Sequence, residues 1–285
     1  MLPLSFHPTN HYTVHEETMA TLSANGIEIN YRDQGDGPET VLFINGLGDD
    51  LDTWSLQVPA FVNSGYRVVT FDNRGVGASS TPPGPYTTSM FAEDTKAVVE
   101  HLGLKKFHLL GISMGGMIAQ QYALRYPRDL ASVTLACTYA APGPFCSRMY
   151  ALWAELAPIV GVATIMRDVV LWGFTVDFFQ SQPEVLAEVE TAMRFVNQSV
   201  PAYLAQLSSI QTHDTTDRLG ELIVPTLVLA GEEDILIPVS LSRQLHALIP
   251  DATWATTPGG HCCIWEHPER FNETVLSWLA KLEQS

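Results

Sequence analysis

The sequence predicts an α/β fold: a mostly parallel central sheet with helices on both faces, interrupted by a helical insert. Three observations predict it. From residue 40 onward, short apolar runs alternate with amphipathic helical patterns, the signature of parallel strands buried beneath helices. That rhythm stops across residues 141–216, which hold no β-like run, and resumes at Val224. The 285 residues, 46% of them hydrophobic, suffice for one large core with an insert.

Each element follows from its local pattern. Residues 20–24 and 27–34 flank Asn25-Gly26, a strong two-residue hairpin signal. Thr40–Ile44 is a short apolar strand, Trp54–Asn63 a helix and Arg67–Phe71 the next strand. Ser89–Leu102 is amphipathic, with Phe91, Val98, Val99 and Leu102 on one face. Phe107–Ile112 is a buried strand, Met114–Tyr126 a helix and Ser132–Ala136 a strand. The insert reads as four helices, at Arg148–Leu156, Val162–Leu171, Pro183–Phe195 and Pro201–Ile210, rich in large side chains such as Trp153, Trp172 and Phe178. Strands return at Val224–Ala230 and Thr253–Thr257, with helices at Val239–Leu248 and Pro268–Leu282. The expected organisation is a loose arm over 1–18, a core of 19–140 and 217–285, and a helical cap over 141–216.

Composition excludes several classes. A net charge of −16 provides no basic footprint for nucleic acid or an anionic membrane surface. It also provides no general field for anionic substrates, so recognition of an anion would need local arginines. The four cysteines show no CxxC spacing, which argues against a zinc site, and they fit free thiols in a reducing compartment. The first twenty residues lack the basic start and apolar stretch of a signal peptide, and no run approaches a membrane span. A cytoplasmic protein without metal or organic cofactor is expected.

The chemistry concentrates in four loops. Gly111-Ile112-Ser113-Met114-Gly115-Gly116 lies between an apolar strand and a helix, the context that a G-x-S-x-G turn requires. A serine on so sharp a turn is strained, and glycines two residues away let neighbouring chain pass close to it. Its hydroxyl is a weak nucleophile at neutral pH and needs a base, which in turn needs an orienting acid, in the chain order Ser, acid, His. Glu232, Glu233 and Asp234 all follow the strand 224–230. Asp234, just before an apolar stretch and Pro238, is the favoured acid, while both glutamates more naturally face solvent. Among nine histidines, His261 alone combines a glycine-rich loop, the correct chain order and a preceding strand. Asn45-Gly46-Leu47-Gly48 follows the strand 40–44, and the Leu47 and Met114 N–H groups are the candidate oxyanion donors. Asn45, Gly46 and Trp153 are candidate substrate contacts.

With these motifs the chain resembles the α/β-hydrolase superfamily from about residue 20 to 282. Phe71–Ser79 (FDNRGVGAS) looks like that family's structural D-x-R-G-x-G-x-S loop. The stretches NGLGDDLDTW at 45–54, PPGPYT at 82–87 and GISMGG resemble the 3-oxoadipate enol-lactonase group and its carboxylesterase relatives. The resemblance implies an α/β-hydrolase fold and a serine hydrolase cleaving a small-molecule ester or lactone through Ser113, His261 and Asp234. It sets aside haloalkane dehalogenases and epoxide hydrolases, which use Asp at the Ser113 position. It leaves open a C–C bond hydrolase of aromatic catabolism and a non-enzymatic small-molecule receptor. An enol-lactone bearing a carboxylate would require a cation, and Arg148, Arg167 and Arg194 in the insert are the candidates, although a solvated helix face is the ordinary fate of each.

Overall fold

The computed structural model describes residues 18–194 and 196–283. The arm expected over 1–18 lies outside the described residues except for Thr18, where β1 begins. β1 (Thr18–Ala24) and β2 (Ile27–Gln34) form the hairpin, with Asn25 and Gly26 both at positive φ, 52° and 74°. This turn twists with its strands, and Asn-Gly tolerates the left-handed backbone it needs. The remaining strands are β3 (Glu39–Ile44), β4 (Tyr66–Phe71), β5 (Phe107–Ile112), β6 (Leu130–Ala136), β7 (Thr226–Gly231) and β8 (Thr253–Thr257). They form one eight-stranded sheet in the order β1-β2-β4-β3-β5-β6-β7-β8. β1 and β2 pair antiparallel, as do β2 and β4, and every later pairing is parallel.

The period-two alternation of β3 divides the core. Leu42 and Ile44 face one side, with Phe91 and Val98 of α2 (Thr88–His101) and Met117 and Tyr122 of α3 (Met114–Arg125). Val41 and Phe43 face the other, with Phe61 of α1 (Val58–Asn63) and Phe271 and Val275 of the last helix. Burial on both faces is why these strands read as continuous apolar runs rather than alternating ones.

Among the described residues, five α-helices and a 3₁₀ turn (Leu219–Glu221) separate β6 from β7: α4 (Pro144–Val160), α5 (Val162–Gly173), α6 (Val176–Ser181), α7 (Pro183–Arg194) and α8 (Val200–Gln211). Sequence reading gives four here. α6 is a turn and a half long, too short to show a periodicity, and only the Thr175 side chain capping Phe178 N–H marks its start. The last residue expected in the third of these helices, Phe195, lies outside the described residues. After β7 come α9 (Val239–Leu248), the single turn α10 (Cys263–Glu266), which sequence reading also misses, and α11 (Pro268–Glu283).

Other boundaries shift by a few residues, and one expected helix is split. The helix expected from Trp54 to Asn63 is divided into a 3₁₀ turn, Leu51–Trp54, and α1. Pro59 suits the first turn of a helix, and the Asp50 side chain caps the 3₁₀ turn by accepting from Asp52 N–H. Trp54 instead drops into the core, stacked on Phe43 at 4.7 Å. No helix among the described residues is long and apolar enough to cross a membrane.

Candidate active site

Parallel strands deliver their following loops to one edge of the sheet, and ligands in such folds bind outside those carboxyl ends. Here the loops after β3, β5, β7 and β8 meet at that edge. Ser113 follows β5 at φ 55° and ψ −119°, a conformation that L residues avoid. Neighbouring chain holds it there: its N–H donates to Ala136 O at 2.9 Å, and its carbonyl accepts from the Thr138 hydroxyl at 2.8 Å. Glycine is obligatory on both sides. A Cβ on Gly111 would lie 2.1 Å from Gly115 O, and one on Gly115 would lie 2.1 Å from Ile44 O. The first turn of α3 is therefore flush against the end of β3, where the Leu47 loop begins. The N–H of Met114, first residue of α3, belongs to the helix N-terminal donors left without an intrahelical partner.

The loop after β7 resolves the choice among three acids. Glu232 and Glu233 are exposed, and Asp234 is buried. One oxygen of Asp234 accepts from Ile237 N–H at 2.9 Å, and the other faces His261 Nδ1 at 2.7 Å. Burial by itself would lower the imidazole's proton affinity. The Asp234 carboxylate outweighs that and raises it from the ordinary 6.5 to about 9. His261 is positioned by a loop that turns at Gly259, φ 101°. Buried Glu266 braces that loop, accepting from Gly260 N–H at 2.7 Å and from the Thr175 hydroxyl at 2.6 Å. Glu266 thus ties the histidine loop to the inserted helices. Sequence reading misses it, because a lone Glu after Cys262-Cys263-Ile264-Trp265 carries no local signal.

Ser113 and His261 line one cavity, which opens to solvent. Its floor includes Gly46 and Leu47, and its roof comes from the insert: Tyr150 and Trp153 of α4, Met166 and Val170 of α5, Met193 of α7 and Ile210 of α8. The insert is bonded to the loops below. Gln206 of α8 accepts from Gly48 N–H at 3.1 Å and donates to Arg74 O at 2.8 Å.

The expected contacts at Gly46, Leu47 and Trp153 all line the cavity, but Asn45 does not. Asn45 is fully buried beneath the floor, where its Oδ1 accepts from Trp54 Nε1 at 2.7 Å and its Nδ2 donates to Phe71 O at 3.0 Å. A side chain so committed braces the loop beneath the cavity. Arg148, Arg167 and Arg194 have the ordinary fate of arginines on a solvated helix face: all three are exposed, and none lines the cavity. The FDNRGVGAS loop is a scaffold. Asp72 accepts from Leu51 N–H and Ala78 N–H, each at 2.8 Å, and Arg74 pairs with buried Asp94.

An eight-stranded sheet with a strained serine after β5 and an Asp–His pair at the same edge defines a class before any comparison is made, and the comparisons agree. The sequence profile described as "alpha/beta hydrolase fold" matches residues 39–158 and 168–268. The chain belongs to the α/β-hydrolase family. It is 30% identical over 257 residues to 3-oxoadipate enol-lactonase 2 of Acinetobacter baylyi, covering 90% of this chain and 94% of that one. Its structure is similar to that of a thermophilic esterase from Thermogutta terrifontis solved with malate bound, with a TM-score of 0.81, 30% identity and coverage of 94% and 99%. It is also similar to a bromoperoxidase from Bacillus anthracis, with a TM-score of 0.81, 26% identity and coverage of 93% and 100%. The family relationship makes the chain a hydrolase, and its relatives differ in the bond they act on.

Proposed function

We propose that the chain is a serine hydrolase that cleaves a small-molecule carboxylic ester or lactone through an acyl-enzyme. The observation that carries this reading is the 2.7 Å contact of His261 Nδ1 with buried Asp234, at a cavity that Ser113 also lines. Asp234 fixes the tautomer that leaves Nε2 free to take the Ser113 proton as Oγ attacks the substrate carbonyl. The Leu47 and Met114 N–H groups stabilise the oxyanion of the tetrahedral intermediate. His261 then returns the proton to the departing alcohol or enol oxygen. A water deprotonated by His261 hydrolyses the acyl-enzyme, and Ser113 regains its proton. Esterase and enol-lactonase relatives support an oxygen ester as the bond cleaved, beside putative carbamate hydrolases at similar identity. No step calls for a metal or an organic cofactor.

The test is turnover of 4-nitrophenyl acetate by Ser113→Ala. Loss of at least about 10⁴-fold in kcat is expected with folding unchanged by circular dichroism. Turnover within a few-fold of wild type would remove Ser113 from the mechanism.

A further inference from the structure

One carboxyl in the cavity has no part in the mechanism above. Asp49 lies on the loop after β3 and lines the same space as Ser113 and His261. A Cβ built on Gly46 would sit 2.7 Å from Asp49 Oδ2 and 3.7 Å from Ser113 Cβ, so carboxyl and nucleophile flank a single point on the cavity floor. Glycine at 46 is what admits the carboxyl there, since any side chain would collide with it. The loop is anchored beneath: Asn45 Nδ2 donates to Phe71 O and, at 3.4 Å, to Asp49 O.

The Asp49 side chain has no hydrogen-bond or ion-pair partner among the described residues, although Asp50 and Asp52, its near neighbours in sequence, both have one. Other polar groups on the cavity wall are committed elsewhere, as with Trp153 Nε1 to Asp168 and Trp265 Nε1 to Thr53 O. Among the described residues lining the cavity, none is Lys or Arg, and Asp49 is the only charged residue apart from His261. Burial, reinforced by the charge of Asp50 and opposed by His261, lifts the Asp49 carboxyl to about 7. It therefore lacks the donor that would stabilise its ionised form.

We infer that Asp49 is a specificity-determining residue, selecting substrates that present a cationic or N–H/O–H donor group close to the scissile carbonyl and rejecting substrates that present a carboxylate there. The inference rests on Ser113 as nucleophile and names the substrate class of that site. A carboxylate brought beside Asp49 would meet a like charge in a cavity that no Lys or Arg lines, and His261, the one residue there able to carry a positive charge, must be neutral to act as base. 3-Oxoadipate enol-lactone keeps one free carboxylate after ring closure, so this pocket is built against it.

The test uses two matched ester sets. In one, the acyl chains of 4-nitrophenyl esters end in trimethylammonium, tert-butyl or carboxylate. In the other, the same three groups sit on the alcohol side of acetate esters. Assays run at a pH where Asp49 is ionised. In wild type the ammonium ester should exceed the carboxylate ester in kcat/KM by at least about tenfold in one of the two sets. Asp49→Asn and Asp49→Leu should each collapse that ratio towards one. Each ratio is taken within one protein, so general changes in rate or folding cancel. A ratio that survives both substitutions overturns the inference while leaving the serine mechanism intact. Should Ser113→Ala keep its turnover, the mechanism is what falls. The charge preference is then read without turnover, from the fluorescence of Trp153 and Trp265 on titrating Ser113→Ala with hexyltrimethylammonium against heptanoate. Preference for the ammonium ion supports Asp49 as the selector, and equal binding removes it.

Discussion

The loops at the sheet edge and the inserted helices above them form two walls of one cavity, and they are built by different means. The loops are pinned by backbone. Ser113 sits in a forbidden region of φ and ψ, Gly111 and Gly115 leave no room for a Cβ, and Asp234 reaches His261 with its other oxygen on Ile237 N–H. The insert is held by side-chain packing and a few ties through Gln206, Thr175 and Glu266. Its outer face remains strongly apolar, with Ile159 78% and Val176 71% exposed. Under the proposed serine mechanism, reaction chemistry falls to the wall pinned by backbone and substrate shape to the wall held by side-chain packing, with Asp49 the point at which the first wall also reads the substrate.

The comparison breaks most readily at the loops. Asp234→Asn should lower kcat by about 10³- to 10⁴-fold, since the imidazole loses both its tautomer and the partner of its cationic form. The sign of its pH effect follows from the same contact. His261 must be neutral to accept the Ser113 proton, and Asp234 raises its proton affinity. The acidic limb of the wild-type kcat/KM profile should therefore lie above the ordinary 6.5, towards about 9. In Asp234→Asn the residual limb should move to lower pH, and a limb that stayed in place would show that His261 is not the titrating base.

A change in the other wall should act more gently and only on specificity. Trp153→Ala removes a buried indole from the roof, and the ratio of kcat/KM for long-chain over acetyl esters should fall about tenfold. A parallel loss for both chain lengths would mean that Trp153 supports the floor chemistry rather than the shape of the roof.

The same contrast explains what was legible in the sequence. The loops could be read because steric necessity leaves residues that nothing else explains: Gly111 and Gly115 around Ser113, Gly259 before His261, Asn25-Gly26 at positive φ. Asp234 was separable from Glu232 and Glu233 because only it precedes an apolar run that turns it inward. The insert was less legible. A helix apolar on its inner and outer faces gives no sign of which side lines a cavity, and α6 is too short to carry a period. Asn45 misled because a polar residue in an oxyanion loop resembles a ligand contact, whereas burial committed it to Trp54 and Phe71. Asp49 went unassigned within the acidic pair Asp49-Asp50, since nothing local says which carboxyl turns towards Ser113 and which caps a turn.

The central claim is that Ser113 is made reactive by its turn and by His261. Labelling the intact protein with a fluorophosphonate and mapping the modified peptide tests it most directly. The account predicts stoichiometric modification at Ser113, lost in Ser113→Ala and slowed in Asp234→Asn. Modification at any other residue, or none while the protein hydrolyses esters, would contradict it.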